Sequence, residues 1–183
     1  RYNPQPPYED FDILLRGLKN HPELQSKFFH HVSQHRWFKY DPRVKGSNRP
    51  ENVAPINASK GCVAACTFCQ RNTKGYRVFD LDPLEEHIIH MKKEYNIGYL
   101  EIADENFGTD KKRTYEMARI FKKHDMLWFA GGVRVTSMTY EDLKFYKEHN
   151  CSALKFGVES GSQKILDIME KRFKVEDVYN AIY

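Results

Sequence analysis

The chain has 183 residues, enough for one domain of ordinary size with a core of its own. Its 40% hydrophobic and 30% charged residues are the composition of a globular protein and exclude a disordered one. A net charge of +4, spread along the chain rather than gathered in one block, singles out no nucleic-acid partner.

Residues 1–55 read as an N-terminal helical or linker segment. Pro4, Pro6 and Pro7 stiffen its start, and the opening RYNPQPPYEDFD has prolines and acids where a secretory leader has a basic and then an apolar run. Helical stretches are expected over 11–18 and 23–32, followed by the turn-rich loop DPRVKGSNRPENVAP. His30, His31 and His35 read as solvated histidines rather than metal ligands. No run reaches the ~18 apolar residues of a membrane span. A cytoplasmic protein with reduced thiols is therefore expected. The start at Arg1 and the end inside a helical pattern suggest part of a longer chain.

From Pro55 onward strands alternate with helices. INASK is expected as a strand entering a cysteine-rich loop. Asp82 then caps a helix with Pro83 at its first position and Leu84, Ile88, Met91 and Tyr95 on one face. Gly98 is expected to stop that helix, and GYLEIAD to form a strand. Thr109 or Asp110 opens the next helix, with Met117, Ile120 and Phe121 apolar, before the strand LWFAG. A capping box of Thr139 and Asp142 starts a helix with Leu143 and Tyr146. The strand ALKFGV and a helix with Ile165, Leu166 and Met169 complete the series. Such alternation, without hairpin turns, predicts an α/β fold with a parallel sheet and right-handed crossovers. About four βα units cannot close a barrel of eight strands and ~250 residues, so a partial (β/α) barrel is expected over 56–183.

Three of the four cysteines stand as Cys62, Cys66 and Cys69, spaced C-x3-C-x2-C, while Cys151 reads as a small buried apolar residue. One side of a helix would also gather the three thiols, but Gly61 before them and the polar QRNTKGYR after them describe a loop. A disulfide would leave one thiol over. Zinc needs a fourth ligand; Cys66 and Cys69 with His87 and His90 would leave Cys62 without a role, and the His-x2-His gap is short. Thiolates on one short loop suit an iron–sulfur cluster, with one iron free of protein ligands. That reading is preferred to zinc.

At these residues the sequence resembles the radical S-adenosylmethionine (radical SAM) enzymes, whose signature is C-x3-C-x2-C after the first barrel strand, with an aromatic residue, here Phe68, before the last cysteine. The resemblance covers the chain from about Ile56 to Ile182. It implies that Cys62, Cys66 and Cys69 bind three irons of a [4Fe–4S] cluster and that S-adenosylmethionine chelates the fourth. One electron from the cluster would then cleave the sulfonium to methionine and a 5′-deoxyadenosyl radical. No side chain is assigned a catalytic role of its own. The implied cofactor contacts lie at strand ends. Asp104, Glu105 and Asn106 replace the family's Gly-Gly-Glu run and would face the cofactor's amino group, although the acidic pair would equally cap the next helix. Arg134 would hold its carboxylate. Phe68 would flank the adenine, and Glu159 and Ser160 would meet the ribose.

The string GVESGS with Lys171 resembles the cobalamin-binding-type and methylthiotransferase-like subgroup. On this resemblance cobalamin is a possible further cofactor, held by a domain upstream of Arg1. An electron donor of flavodoxin or ferredoxin type is the implied partner, with an unidentified substrate and no nucleic acid. The competing functions are methylthiotransfer and a non-catalytic zinc- or iron–sulfur-binding module.

Overall fold

A computed structural model describes residues 30–70 and 75–182. The helix expected over 11–18 and most of that expected over 23–32 lie outside the described residues. The end of the latter is a short strand, β1 (His30–His31), followed by a 3-10 turn, Val32–Gln34.

A short helix α1 (Arg36–Lys39) and strand β2 (Asn52–Ile56) come next. The first parallel strand is therefore β2, ending where the expected strand INASK begins. Val53, Ala54 and Ile56 are buried, while Asn57 and Ala58 turn the chain out of the sheet. A feature that the βα pattern did not predict follows. Strands β3 (Ser59–Cys62) and β4 (Gly75–Val78) form a separate antiparallel ladder that pairs Gly61 with Tyr76 and Cys62 with Gly75.

Helix α2 (Leu81–Tyr95) starts after Asp80, two residues earlier than expected, so Pro83 lies in its first turn. Leu84, Ile88, Met91 and Tyr95 are buried as its spacing demands. The helix ends on Asn96, in the left-handed conformation at φ 54°. Gly98 does not stop it but lies inside strand β5 (Ile97–Ile102). A Cβ at Gly98 would stand 2.0 Å from the Pro50 carbonyl oxygen, so close approach of backbone selects this glycine.

Helix α3 (Lys111–Lys123) is capped by Asp110, whose side chain accepts from the Arg113 N–H. Strand β6 (Leu127–Val133) follows, and then α4 (Tyr140–Glu148), which carries the Thr139–Asp142 capping box. Strand β7 (Cys151–Phe156) leads to α5 (Gln163–Ile168) and α6 (Val175–Ile182). Cys151 is buried in its strand, and burial pushes its thiol pKa up.

The main sheet runs β1-β2-β5-β6-β7, with β1 antiparallel and the other four parallel. One face packs Ala54, Leu100, Ile102, Trp128 and Ala130 against α2 and α3, with Phe107 and Tyr146 filling the corner. On the other face Phe38 packs edge-on to Phe129 and beside Tyr99. Residues 30–55, expected as a lead-in, thus supply two strands and the aromatic cover of that second face. Both faces of a parallel sheet need such cover. The result is the α/β architecture of a partial (β/α) barrel.

Candidate metal centre

Parallel pairing brings the C-terminal ends of β2, β5, β6 and β7 to one edge, and every residue proposed from the sequence follows one of those ends. The ladder continues past the strands: Ala103 N–H donates to the Ile56 carbonyl at 2.9 Å and Gly157 N–H to that of Val133 at 3.0 Å.

Cys62 closes β3, and Cys66 and Cys69 follow in the long connection to β4. All three thiols are free; Cys62 and Cys66 are half-buried and Cys69 is exposed. The Cys69 N–H donates to the Cys66 carbonyl at 3.2 Å, which turns the second half of the loop back on itself. Gly61, at φ 86°, allows the bend before Cys62. Thr67 anchors the loop: its N–H donates to the Met169 carbonyl at 3.0 Å and its hydroxyl to that of Ile168 at 3.2 Å.

Among the described residues no three His, Cys, Asp or Glu side chains are gathered as metal ligands. The zinc set of Cys66, Cys69, His87 and His90 is therefore not assembled, and His87 is buried in α2. The cysteine loop likewise presents separate thiols rather than a closed cage. Its donor chemistry nevertheless fits an iron–sulfur cluster: three unpaired sulfurs, none fully buried, on one accessible loop. Binding closes such sites from separate ligands.

The residues after β5 take unequal places. Asp104 is buried, and its carboxylate is turned inward: Oδ1 accepts from Ala58 N–H (2.8 Å) and Ser59 N–H (3.0 Å), and Oδ2 from the Ser59 hydroxyl (2.7 Å). Burial pushes its pKa above the ordinary aspartate value against the pull of those bonds. Asp104 thus ties the end of β5 to the turn feeding the cysteine strand. Glu105 is exposed. Asn106 is fully buried; its amide donates to Thr109 Oγ1 at 2.6 Å, and its carbonyl oxygen has no hydrogen-bond partner. Neither acid caps the next helix, a role Asp110 fills.

Near the end of β6, a Cβ at Gly132 (φ 65°) would stand 2.5 Å from the Asp104 carbonyl oxygen, so this glycine lets the ends of β5 and β6 meet. Arg134 Nη2 donates to the Lys171 carbonyl at 2.6 Å. Past β7, Glu159 has φ 68°, rare for a residue with a side chain, and its Oε1 lies 3.6 Å from Lys171 Nζ. Ser160 Oγ accepts from the Ser162 N–H at 3.1 Å. Phe68 is 52% exposed, its ring 5.5 Å from Lys171 Nζ.

The structure thus brings Phe68, Arg134 and Glu159 around Lys171, whereas Asp104 and Asn106 are directed into the protein. Sequence reasoning missed the anchoring roles of Thr67 and Ser59, which no local pattern signals. It noted Lys171 without giving it a role.

Residues 56–183, well over half of the chain, match the family model described as the Radical SAM superfamily. Among curated proteins, cytidylyl-2-hydroxyethylphosphonate methyltransferase of Streptomyces wedmorensis is 25% identical over 159 residues, 84% of this chain and 30% of that protein. An uncharacterized methyltransferase of Pyrococcus horikoshii is 28% identical over 132 residues, 69% of this chain and 28% of its own length. The anaerobic magnesium-protoporphyrin IX monomethyl ester cyclase of Rubrivivax gelatinosus is 26% identical over 138 residues, 72% of this chain and 25% of that enzyme. The chain thus matches between a quarter and a third of the length of each of these relatives.

Proposed function

The chain belongs to the radical SAM superfamily, and on that premise we propose that Cys62, Cys66 and Cys69 hold three irons of a [4Fe–4S] cluster beside an S-adenosylmethionine site at the C-terminal strand edge. One observation carries the reading: three free thiols in C-x3-C-x2-C spacing, on a loop anchored at the sheet edge where βα folds keep their chemistry. Held by these three cysteines, the cluster would supply one-electron reduction of the cofactor's sulfonium and so the radical chemistry of the family.

The chain's own residues bind and orient. Arg134 keeps one guanidinium nitrogen on the Lys171 carbonyl, which aims the fork and leaves its other donors for the cofactor carboxylate. The exposed carboxylate of Glu159 can accept from ribose hydroxyls, with Ser160 beside it. The exposed ring of Phe68 offers a face to the adenine. Glu105, exposed after β5, is the acceptor for the cofactor's ammonium. Asp104 and Asn106 support this edge from beneath.

Methyl transfer is the finer reading, supported by relatives that carry methyltransferase names, among them those of Streptomyces wedmorensis and Pyrococcus horikoshii. It extends to a cobalamin-dependent form with cobalamin held outside this chain, and to a flavodoxin- or ferredoxin-type protein as electron donor. No helix among the described residues is long and apolar enough to cross a membrane.

Anaerobic reconstitution with iron and sulfide tests the proposal. The expected product is a brown protein whose reduced cubane EPR signal changes on adding S-adenosylmethionine and which forms 5′-deoxyadenosine with dithionite. Replacing any one of Cys62, Cys66 and Cys69 by alanine abolishes that product, while Cys151→Ala retains it. A colourless protein with one tightly bound zinc overturns the proposal in favour of a non-catalytic metal module.

A further inference from the structure

Lys171 is the one buried lysine among the described residues, with 6% of its surface exposed. An ammonium out of water is costly unless it is paired. Its charged neighbour is Glu159, with Oε1 3.6 Å from Nζ, beyond hydrogen-bond reach. Its other neighbours are two aromatic rings, Phe68 at 5.5 Å and Phe173 at 5.6 Å, which attract a cation through their faces. If stability alone were at stake, an apolar side chain would serve as well, because buried ion pairs rarely outperform apolar packing.

The main chain around it joins the same parts. The Lys171 carbonyl accepts from Arg134, and the carbonyls of Ile168 and Met169 accept from Thr67 of the cysteine loop. Three non-glycine residues here are left-handed: Glu159, Glu170 and Arg172, with φ 68°, 52° and 55°. Strain kept at such positions marks a geometry that the surroundings enforce. Gly157 completes the arrangement, since a Cβ there would stand 3.2 Å from Glu159 Oε1 and 3.7 Å from Lys171 Nζ. The space beside this pair is kept free of side chain.

We propose that Lys171 is a positioning residue of the cofactor site: its ammonium fixes the Glu159 carboxylate and the Phe68 ring relative to each other, so that the cysteine loop and the end of β7 meet S-adenosylmethionine as one surface. This role rests on the radical SAM reading above. It assigns Lys171 no contact with the reacting atoms. The cluster forms without it, and cofactor affinity depends on it.

The test uses the reconstituted chain with Lys171→Met, Lys171→Arg, Glu159→Gln and the double variant Lys171→Met/Glu159→Gln. Iron and sulfide content and the EPR signal of the reduced cluster are read first, then the S-adenosylmethionine titration of that signal. In Lys171→Met the cluster content is unchanged while the titration midpoint rises about tenfold, the scale of coupling within one side-chain network. Lys171→Arg, which keeps the cation, restores most of the affinity, and the double variant is no worse than either single one. A Lys171→Met titration equal to wild type, or losses that add fully in the double variant, overturns the proposal. Should Lys171→Met fail to fold, Lys171→Gln, which keeps a polar group without the cation, carries the test: an unchanged midpoint refutes the role and an about tenfold loss at full cluster content supports it. A wild-type chain with no cluster, or with a cluster indifferent to S-adenosylmethionine, instead refutes the cluster and cofactor reading beneath it, and the Lys171 role falls with that reading.

Discussion

Replacing Asp104 by alanine removes the acceptor of three donors at once: the N–H groups of Ala58 and Ser59 and the Ser59 hydroxyl. Each donor left buried and unsatisfied costs about 1–3 kcal/mol. Part of that loss is offset, because the carboxylate itself is unfavourably buried, as its raised pKa shows. A net loss of about 2–4 kcal/mol follows, roughly 5–15 °C in melting temperature for a chain of this size. Asp104→Asn separates the bonds from the charge. An amide oxygen still accepts both backbone N–H groups, and the amide nitrogen can donate to Ser59 Oγ, so this variant stays within about 1 kcal/mol of wild type.

The pH dependence has a definite sign. A folded pKa above the ordinary 3.8 means that the contribution of Asp104 is fully present below that value and is lost as pH rises through the folded value. The Asn variant has no such loss, so it gains on wild type when the pH is raised from 3.8 to neutrality. Urea unfolding followed by circular dichroism at both pH values measures all three proteins. An alanine variant within about 1 kcal/mol of wild type, or an asparagine variant as damaged as the alanine one, refutes the assignment of Asp104 as the tie beneath the cysteine strand.

Gly98→Ala puts a Cβ 2.0 Å from the Pro50 carbonyl oxygen and 2.6 Å from Arg49 Cγ. An overpacking loss of about 2–3 kcal/mol in urea unfolding is expected, and a neutral substitution would contradict the close approach. Gly132→Ala combines φ 65° with a 2.5 Å contact to the Asp104 carbonyl oxygen, and a loss of about 2–3 kcal/mol is expected in the same assay. Asp142 behaves oppositely to Asp104. Burial raises its pKa, but bonds from Lys111, Tyr115 and Thr139 outweigh that and hold it below the ordinary range. Its stabilisation is present above pH 3.8 and disappears as pH falls through the lower folded value, so the gap between wild type and Asp142→Asn narrows in acid melts.

Periodicity and caps were enough to place three of the four parallel strands and the helices between them, while the first, β2, lies just ahead of the expected INASK. Leu84, Ile88 and Met91 recur at helical spacing, Thr139 and Asp142 form a local box, and neither needs a distant partner to be recognised. The cysteine triplet was equally legible, because metal-binding chemistry is written in residue type and short spacing. What the sequence could not express was contact between remote segments. Gly98 looked like a helix stop because its reason, the Pro50 carbonyl, is 48 positions away along the chain and adjacent only in the fold. Asp104 looked like a cofactor ligand because nothing local announces that Ala58 and Ser59 turn their N–H groups toward it. Lys171 had no visible role until α5 brought it between Phe68 and Glu159. Local patterns follow from backbone geometry, which the chain carries with it. The partners of a buried charge, and the close approaches that select a glycine, exist only after strands and loops from distant segments have come together.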